Sequence, residues 1–212
     1  MDGLLVDSEP LYMRAWQQAA LQLGFEITDD QYLSLLGLPE RGYEKAVREA
    51  LGGGFPIEEF RVRWKQLWLA FVTAGELRPK AGALPLVSAL RAARIPVSIA
   101  TSSTRERTTL SLRSTRLDGF FHHVVVGEDV AHGKPAPDAF LLAASRLGVP
   151  PSECLVLEDS VTGAQAGLAA GMSVILVPDR VDPPAEYIER AFLVAASLDE
   201  AAPHVLRAVR DV

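Results

Sequence analysis

The sequence has 212 residues and a formal net charge of −6; 49% of its residues are hydrophobic and 23% are charged. This balance is typical of a globular protein that buries a real core, and the length suits one large domain or a core with a smaller insertion. An acidic chain of this kind argues against a general nucleic-acid binder, which needs a basic face to neutralise phosphates.

The single cysteine, Cys154, lies in the apolar run "ECLVLE" and cannot form a disulfide within the chain. The sequence also lacks an uninterrupted apolar run of about 18 residues, the length typical of a membrane-spanning helix. From these features we expect a cytoplasmic protein that acts as a monomer, with no membrane or nucleic-acid partner.

The segment 11–77 has a helical pattern throughout. Apolar residues recur at three- and four-residue spacing in four stretches that end at glycines or prolines. These stretches are "LYMRAWQQAALQLG", "DDQYLSLLG", "ERGYEKAVREALGGG" and "IEEFRVRWKQLWLAFVTAG". The pattern predicts a four-helix domain over 11–77, with Trp16, Trp64 and Trp68 in its core.

The rest of the chain, 1–10 with 78–212, predicts an α/β core domain. Short β-rich runs alternate with helical segments; the runs are at 96–102, 122–128, 154–160, 173–179 and 191–197. Nearly continuous Val, Ile and Leu runs separated by helices indicate a parallel sheet covered on both faces. The predicted fold is therefore a doubly wound, Rossmann-like sheet with an inserted helical domain.

Polar side chains follow the predicted strands. Thr101 and Ser102 end one strand, Glu158 and Asp159 end another, and Lys134 follows a third in the loop "HGKPAPD". Ligands of open parallel sheets bind beyond the carboxyl ends of the strands, so we expect these groups to converge. Each also has an ordinary structural explanation, as a helix cap or a solvated lysine.

The residue types suit phosphate chemistry. Paired carboxylates can bind Mg²⁺ together with water and a substrate phosphate. Hydroxyl groups and free N–H groups at a helix N-terminus bind anions, and a lysine in a water-poor site neutralises a phosphate or a carboxylate. No phosphate-binding loop with the G-x-x-x-x-G-K-[ST] pattern is present.

Four stretches in order, "MDGLLVDSEP", "IATSST", "GKPAPDAF" and "LEDSVTGAQAG", resemble the motifs of the haloacid dehalogenase-like hydrolases. The resemblance covers nearly the whole chain and is strongest to the β-phosphoglucomutase-like phosphatases, in which a helical cap follows the first motif. It implies Mg²⁺-dependent phosphoryl transfer through an aspartyl-phosphate, a form of nucleophilic carboxylate catalysis.

The resemblance also implies a role for each matching residue. Asp2 matches the general acid and base, whose backbone carbonyl would also bind the metal. Thr101 and Ser102 match the phosphate-binding residues, and Lys134 matches the lysine that bridges the nucleophile and the phosphate. The Mg²⁺-binding acids are matched by Glu158 and Asp159.

The sequence departs from the family pattern at its start. The family motif reads D-x-D-G, and the first aspartate, the nucleophile, would precede Met1. That aspartate ends a strand that lies in the middle of the family's sheet, between the strands that carry Thr101 and Asp159. We therefore expect an apolar slot and two unpaired strand edges in this chain, and a true start upstream of Met1.

These features predict a phosphatase of a small phosphorylated metabolite, with a sugar phosphate as the preferred class. Candidate substrate contacts from the helical domain are Tyr12, Arg41 and Lys65. One alternative is an inactive homologue that binds phosphate or metal without turnover. Another is a phosphomutase, which is disfavoured because the family's mutases carry histidine where this chain has Tyr12.

Overall fold

The computed structural model describes residues 1–35 and 40–208, and the side chains of residues 36–45 lie outside this description. The chain forms two compact units. One contains residues 1–7 and the chain from Arg78 onward, and the other contains residues 8–77. In the described part of the chain, no helix is both long enough and apolar enough to cross a membrane.

The unit 8–77 is helical. Its helices are α1 (Glu9–Gln22), α2 (Asp29–Leu35), α3 (Glu40–Leu51) and α4 (Ile57–Thr73). Of the three tryptophans predicted to lie in the core, Trp16 and Trp64 are half-buried, and the Trp16 ring lies 5.5 Å from that of Phe60 and 6.2 Å from that of Trp64. Trp68 is almost fully buried. Aromatic packing of this kind supplies much of the apolar burial in a unit of this size.

The other unit alternates helices and strands. In chain order its elements are α5 (Ala83–Ala92), β1 (Ser98–Ala100), α6 (Arg105–Ser114), β2 (His123–Val125), α7 (Asp138–Leu147), β3 (Leu155–Glu158), α8 (Val161–Ala169), β4 (Ser173–Leu176), α9 (Ala185–Arg190), β5 (Leu193–Val194) and α10 (Leu198–Ala208). Each predicted strand region contains a strand, although the strands are shorter than the runs that predicted them.

All strand pairs in this unit are parallel, and helices cover both faces of the sheet. Successive residues of β4 pack against helices on opposite faces of the sheet. Val174 and Leu176 pack in a cluster with residues of α7 and α8, whereas Ile175 packs with residues of α5 and α10. A strand with both faces buried needs apolar residues at every position, which is why β4 reads as a continuous apolar run. The doubly wound fold is confirmed.

The strands form two sheets, β1–β2 and β3–β4–β5, in the part of the chain that the structure describes. Between β1 and β3 lies a cavity of about 520 Å³ whose lining includes Ile99, Val156 and Met1. Its walls are mostly aliphatic, and among residues 1–35 and 40–208 no strand pairs with the facing edges of β1 and β3. The expected slot and unpaired edges are therefore present.

Candidate active site

The N-terminal turn lies against the carboxyl end of β3. The Met1 carbonyl accepts hydrogen bonds from the N–H groups of Leu5 at 2.8 Å and Val6 at 3.2 Å, which closes the turn. Gly3 has a φ of +73°, and a Cβ at this position would overlap the Asp159 carboxylate. Glycine is therefore needed twice here, for its backbone conformation and for the close approach of Asp159.

Asp2 is positioned by a hydroxyl group from the end of β1. The Ser103 Oγ donates a hydrogen bond to Asp2 Oδ2 at 2.8 Å. Asp2 Oδ1 is buried and has no hydrogen-bond partner among the described residues. A buried carboxylate oxygen without a donor is costly, so this atom is available for a ligand or a reacting group.

Thr101 and Ser102 differ in their surroundings. Thr101 is buried, and its Oγ1 accepts a hydrogen bond from the Ser103 N–H at 3.1 Å. Ser102 is exposed at the same strand end. Thr104, rather than either of them, caps α6, since its side chain accepts from the Arg107 N–H. Thr101 and Ser102 are therefore not needed as helix caps.

Lys134 reaches back to the carboxyl ends of two strands. Its Nζ donates to the Ala100 carbonyl at 3.1 Å and forms an ion pair with Glu158 Oε1. The Lys134 side chain is 9% exposed and that of Glu158 is 4% exposed. A solvated surface lysine does not have these surroundings, because a charge this far from water requires a specific partner.

Glu158 is held by both of its oxygens. Oε2 accepts a hydrogen bond from the Ser160 hydroxyl at 3.1 Å, and Ser160 Oγ accepts in turn from the Gly163 N–H at 3.1 Å, capping α8. Burial alone raises the pKa of Glu158, but the Lys134 ammonium, the Met1 α-amino group and the hydrogen bonds outweigh it and hold the pKa below its usual value. Glu158 is therefore ionised and orients Lys134.

Asp159 has a different environment from its neighbour. Burial raises its pKa to about 7, and the Glu158 charge adds to this, against the opposing effects of the Met1 α-amino group and Lys134. Two adjacent acids with opposite shifts indicate different roles. A carboxylate that is costly to ionise without a partner is one that a cation would stabilise.

The acidic residues of this site suit a Mg²⁺ ion that is bound through few protein ligands. In the described residues, no three His, Cys, Asp or Glu side chains close around a common point. Mg²⁺ needs only one or two carboxylates, since water and substrate complete its octahedron. Asp159 suits that arrangement, whereas the Glu158 oxygens are already occupied by Lys134 and Ser160.

The candidate contacts of the helical unit have varied surroundings. Tyr12 is buried, and its ring stacks on Trp68 with a centroid distance of 5.5 Å. Lys65 is exposed, with its Nζ 5.9 Å from the Trp64 ring centroid. Arg41 belongs to α3, but its side chain is among those outside the described residues.

Four residues around this site were not among those predicted from the sequence. Ser103 and Ser160 orient Asp2 and Glu158, while Lys80 forms an ion pair with Asp179 beside Gly3. The hydroxyl run "TSST" and the strand ending "VPD" were the available signals. Neither signal identifies which side chain faces the site, because that depends on how the strand ends pack.

The family model for haloacid dehalogenase-like hydrolases matches residues 1–171 of the chain. The chain belongs to the haloacid dehalogenase-like hydrolases. Within this family it is 33% identical over 175 residues to a phosphorylated carbohydrates phosphatase of Thermotoga maritima, covering 82% of this chain and 81% of the relative. It is 32% identical to a fructose-1-phosphate phosphatase of Escherichia coli, covering 82% and 92% of the two chains.

The fold places this haloacid dehalogenase-like hydrolase in the β-phosphoglucomutase-like subgroup. A solved structure of a candidate β-phosphoglucomutase from Thermotoga maritima superimposes with a TM-score of 0.82 and 30% identity. The superposition covers 99% of this chain and 96% of the other. The similarity therefore extends over both units of the chain.

Proposed function

We propose that the protein is a Mg²⁺-dependent phosphatase of a small phosphorylated metabolite. The observation that carries this proposal is the buried Lys134, whose ammonium group bridges the ends of β1 and β3 and acts electrostatically on Asp159. A fixed cation among carboxylates and hydroxyls can stabilise the charge that develops on a transferring phosphoryl group. The named activities of the two relatives support the same reaction and favour a sugar phosphate as substrate.

The phosphate would be bound by the hydroxyl of Thr101, the backbone N–H of Ser102 and the ammonium of Lys134. Asp159, Glu158 and the backbone carbonyl of Asp2 would hold Mg²⁺, with Glu158 acting mainly through Lys134. When bound, the metal ion supplies positive charge to the phosphate oxygens and to the attacking carboxylate.

In the first step, an aspartate carboxylate attacks phosphorus, forming one P–O bond while the ester P–O bond breaks. Asp2 gives its proton to the leaving alkoxide. In the second step, Asp2 takes a proton from water as the water oxygen bonds to phosphorus, and the bond from phosphorus to the aspartate oxygen breaks, which releases inorganic phosphate and restores the carboxylate. Ser103 suits this exchange because it fixes Asp2 Oδ2 and leaves Oδ1 free.

The attacking carboxylate, we propose, ends a strand that fills the slot between β1 and β3 and immediately precedes Met1. Three features support this proposal: the unpaired edges, the aliphatic walls of the cavity and the position of Met1 in its lining. The Met1 α-amino group acts electrostatically on both Glu158 and Asp159, so it carries positive charge into a site that suits a carboxylate.

Residues 8–77 would serve as the cap that shields the reaction from water. Arg41, Lys65 and Tyr12 are its proposed substrate contacts. Substituting the exposed Lys65 by Met should raise KM for the preferred sugar phosphate with little change in kcat. An unchanged KM would remove Lys65 from the substrate site.

The test compares three proteins by their hydrolysis of p-nitrophenyl phosphate with Mg²⁺ and with EDTA. The first is the 212-residue chain. The second carries five extra apolar β-forming residues followed by Asp directly before Met1, and the third carries the same extension ending in Asn. We expect metal-dependent turnover only with the Asp extension.

Filling of the slot has its own readout, because Cys154 lines the cavity. Both extensions should slow the labelling of Cys154 by a maleimide, whereas only the Asp extension should give turnover. Protection without turnover in the Asp form would contradict the proposed chemistry and favour the inactive alternative. Turnover by the 212-residue chain equal to that of the Asp form would contradict the proposed nucleophile.

The product separates a phosphatase from a mutase. With glucose 1-phosphate as substrate, a phosphatase releases inorganic phosphate in step with substrate loss. Formation of glucose 6-phosphate without phosphate release would instead support the phosphomutase alternative, which Tyr12 disfavours.

A further inference from the structure

Asp179 and Lys80 form an ion pair beside the candidate metal site. Asp179 follows β4, and its Oδ1 is paired with the Lys80 ammonium. Lys80 also lies 3.8 Å from Asp7 Oδ1. The Asp179 side chain is 8% exposed and that of Lys80 is 26% exposed, so the carboxylate is the more deeply buried partner.

The second oxygen of Asp179 has no partner of its own. Oδ2 is buried and has no hydrogen bond within the described residues. It lies 3.3 Å from the point where a Cβ on Gly3 would stand, and the same point is overlapped by Asp159 Oδ2. Both carboxylates therefore lie beside the space that glycine leaves open.

This arrangement is unfavourable without a further group. A buried carboxylate oxygen without a donor loses its hydration, and the Asp179 Oδ2 atom is such an oxygen. Lys80, with Arg180 Nε at 4.0 Å, compensates only the Oδ1 side of Asp179. A cation with its water ligands would supply both the charge and the donors that Oδ2 lacks.

We infer that Asp179 is a positioning residue of the metal site, which accepts hydrogen bonds from the water ligands of the ion held by Asp2 and Asp159. Lys80 pairs with Oδ1 of Asp179 and limits the negative charge of the site. The inference rests on the proposed metal dependence and adds a residue that follows β4 to a site otherwise built from the N-terminal turn and the end of β3.

The test measures Mn²⁺ binding to the 212-residue chain by electron paramagnetic resonance, with Mg²⁺ competition, so that no turnover is needed. Asp179→Asn should weaken binding by about 10- to 100-fold, the range typical of residues that support metal ligands. Asp182→Asn is the matched control, because it removes the same charge from an exposed position three residues away and should change affinity by less than about twofold.

Lys80→Met separates metal support from simple ion pairing. If Asp179 serves the cation, removing the positive charge of Lys80 should tighten Mn²⁺ binding by about threefold or more. If the pair only stabilises the fold, Asp179→Asn and Lys80→Met should weaken binding in parallel. The two interpretations therefore predict opposite signs for the lysine variant.

Three results would overturn the inference. They are Asp179→Asn binding within about twofold of the unaltered chain, equal weakening by Lys80→Met, and equal weakening by Asp182→Asn. Should Asp179→Asn not fold by circular dichroism, Asp179→Ser removes the same charge and is judged by the same criteria. Absence of Mn²⁺ binding to the unaltered chain would contradict the proposed metal site as a whole, which is a separate failure.

Discussion

Lys134 and Glu158 form a buried ion pair that joins the loop after β2 to the end of β3. Lys134 Nζ also donates to the Ala100 carbonyl at the end of β1, so one ammonium group connects both sides of the divided sheet. The pair serves stability as well as the proposed chemistry, because it holds together strand ends that have no direct hydrogen bonds to each other.

Breaking this pair should be costly. Glu158→Gln leaves the Lys134 charge buried without its counter-charge, and we expect a loss of about 3–5 kcal/mol in the free energy of unfolding. Urea titration at pH 7 measures it. Glu59→Gln breaks the exposed pair of Glu59 with Arg63 in α4 and should cost less than about 1 kcal/mol. Equal losses of unfolding free energy in the two variants would show that the buried pair stabilises the protein no more than the exposed pair does.

Gly163→Ala should destabilise the protein although it adds a better helix former to α8. A helical Gly→Ala change ordinarily gains up to about 1 kcal/mol. Here the new methyl group would overlap the Glu158 carboxylate, so Glu158 or α8 must move. We expect a net loss of at least about 1 kcal/mol and a lower melting temperature.

Gly53→Ala is the control for this prediction, since a Cβ at that position meets nothing within 4 Å. It should be neutral or slightly stabilising. A gain in stability for Gly163→Ala would mean that the Glu158 side chain has other low-energy positions.

The stability of the metal-free protein should fall as pH rises toward neutrality. The pKa of Asp159 is raised from 3.8 to about 7 in the folded protein. Between these values the folded carboxyl keeps a proton that the unfolded one has lost, so the free energy of unfolding decreases with increasing pH. The contribution of Asp159 to the free energy of unfolding is complete below pH 3.8 and is lost as the pH rises past about 7.

Urea titrations across this range in EDTA measure the effect. Asp159→Asn does not ionise, so its stability should vary less with pH in the same window. Glu158 contributes little there, because its lowered pKa places its own effect at more acidic pH. A pH profile unaltered by Asp159→Asn would contradict the assignment to this residue.

Asp2→Asn in the protein with the Asp extension should reduce turnover by about 10²- to 10⁴-fold, the usual contribution of a general acid and base. Circular dichroism and the melting temperature should stay near those of the parent. Ser103→Ala should reduce turnover less, because it frees the Asp2 carboxylate without removing it. Near-normal turnover of Asp2→Asn would refute the acid and base role.

Much of the fold was predictable because its signals are local. The continuous apolar runs identified β3 and β4, and three- and four-residue periodicity identified α1 and α4. The strand bounds were less predictable from the sequence, since the run 191–197 contains only the two-residue strand β5. Strand length depends on whether a neighbouring strand supplies hydrogen bonds, which a single run of sequence does not encode.

The site was predictable as a set of strand endings but not as a set of contacts. Ser160 caps α8 by accepting a hydrogen bond from the Gly163 N–H, a contact that the strand ending alone does not specify. The sequence could not show that Glu158 forms an ion pair with Lys134 whereas Asp159 does not. Neighbouring residues on a strand point to opposite sides, and which side carries the lysine depends on packing.

The sequence by itself determined the alternation of strands and helices, the helical segment inserted after the first motif, and the residues that form the chemistry. Hydrophobic periodicity and motif spacing are properties of the chain alone. Only the tertiary structure decided that Glu158 is ionised beside Lys134, that Asp159 resists ionisation, and that Asp179 faces the site. Those outcomes depend on burial and on charges brought together from distant segments, and both arise only when the strand ends meet.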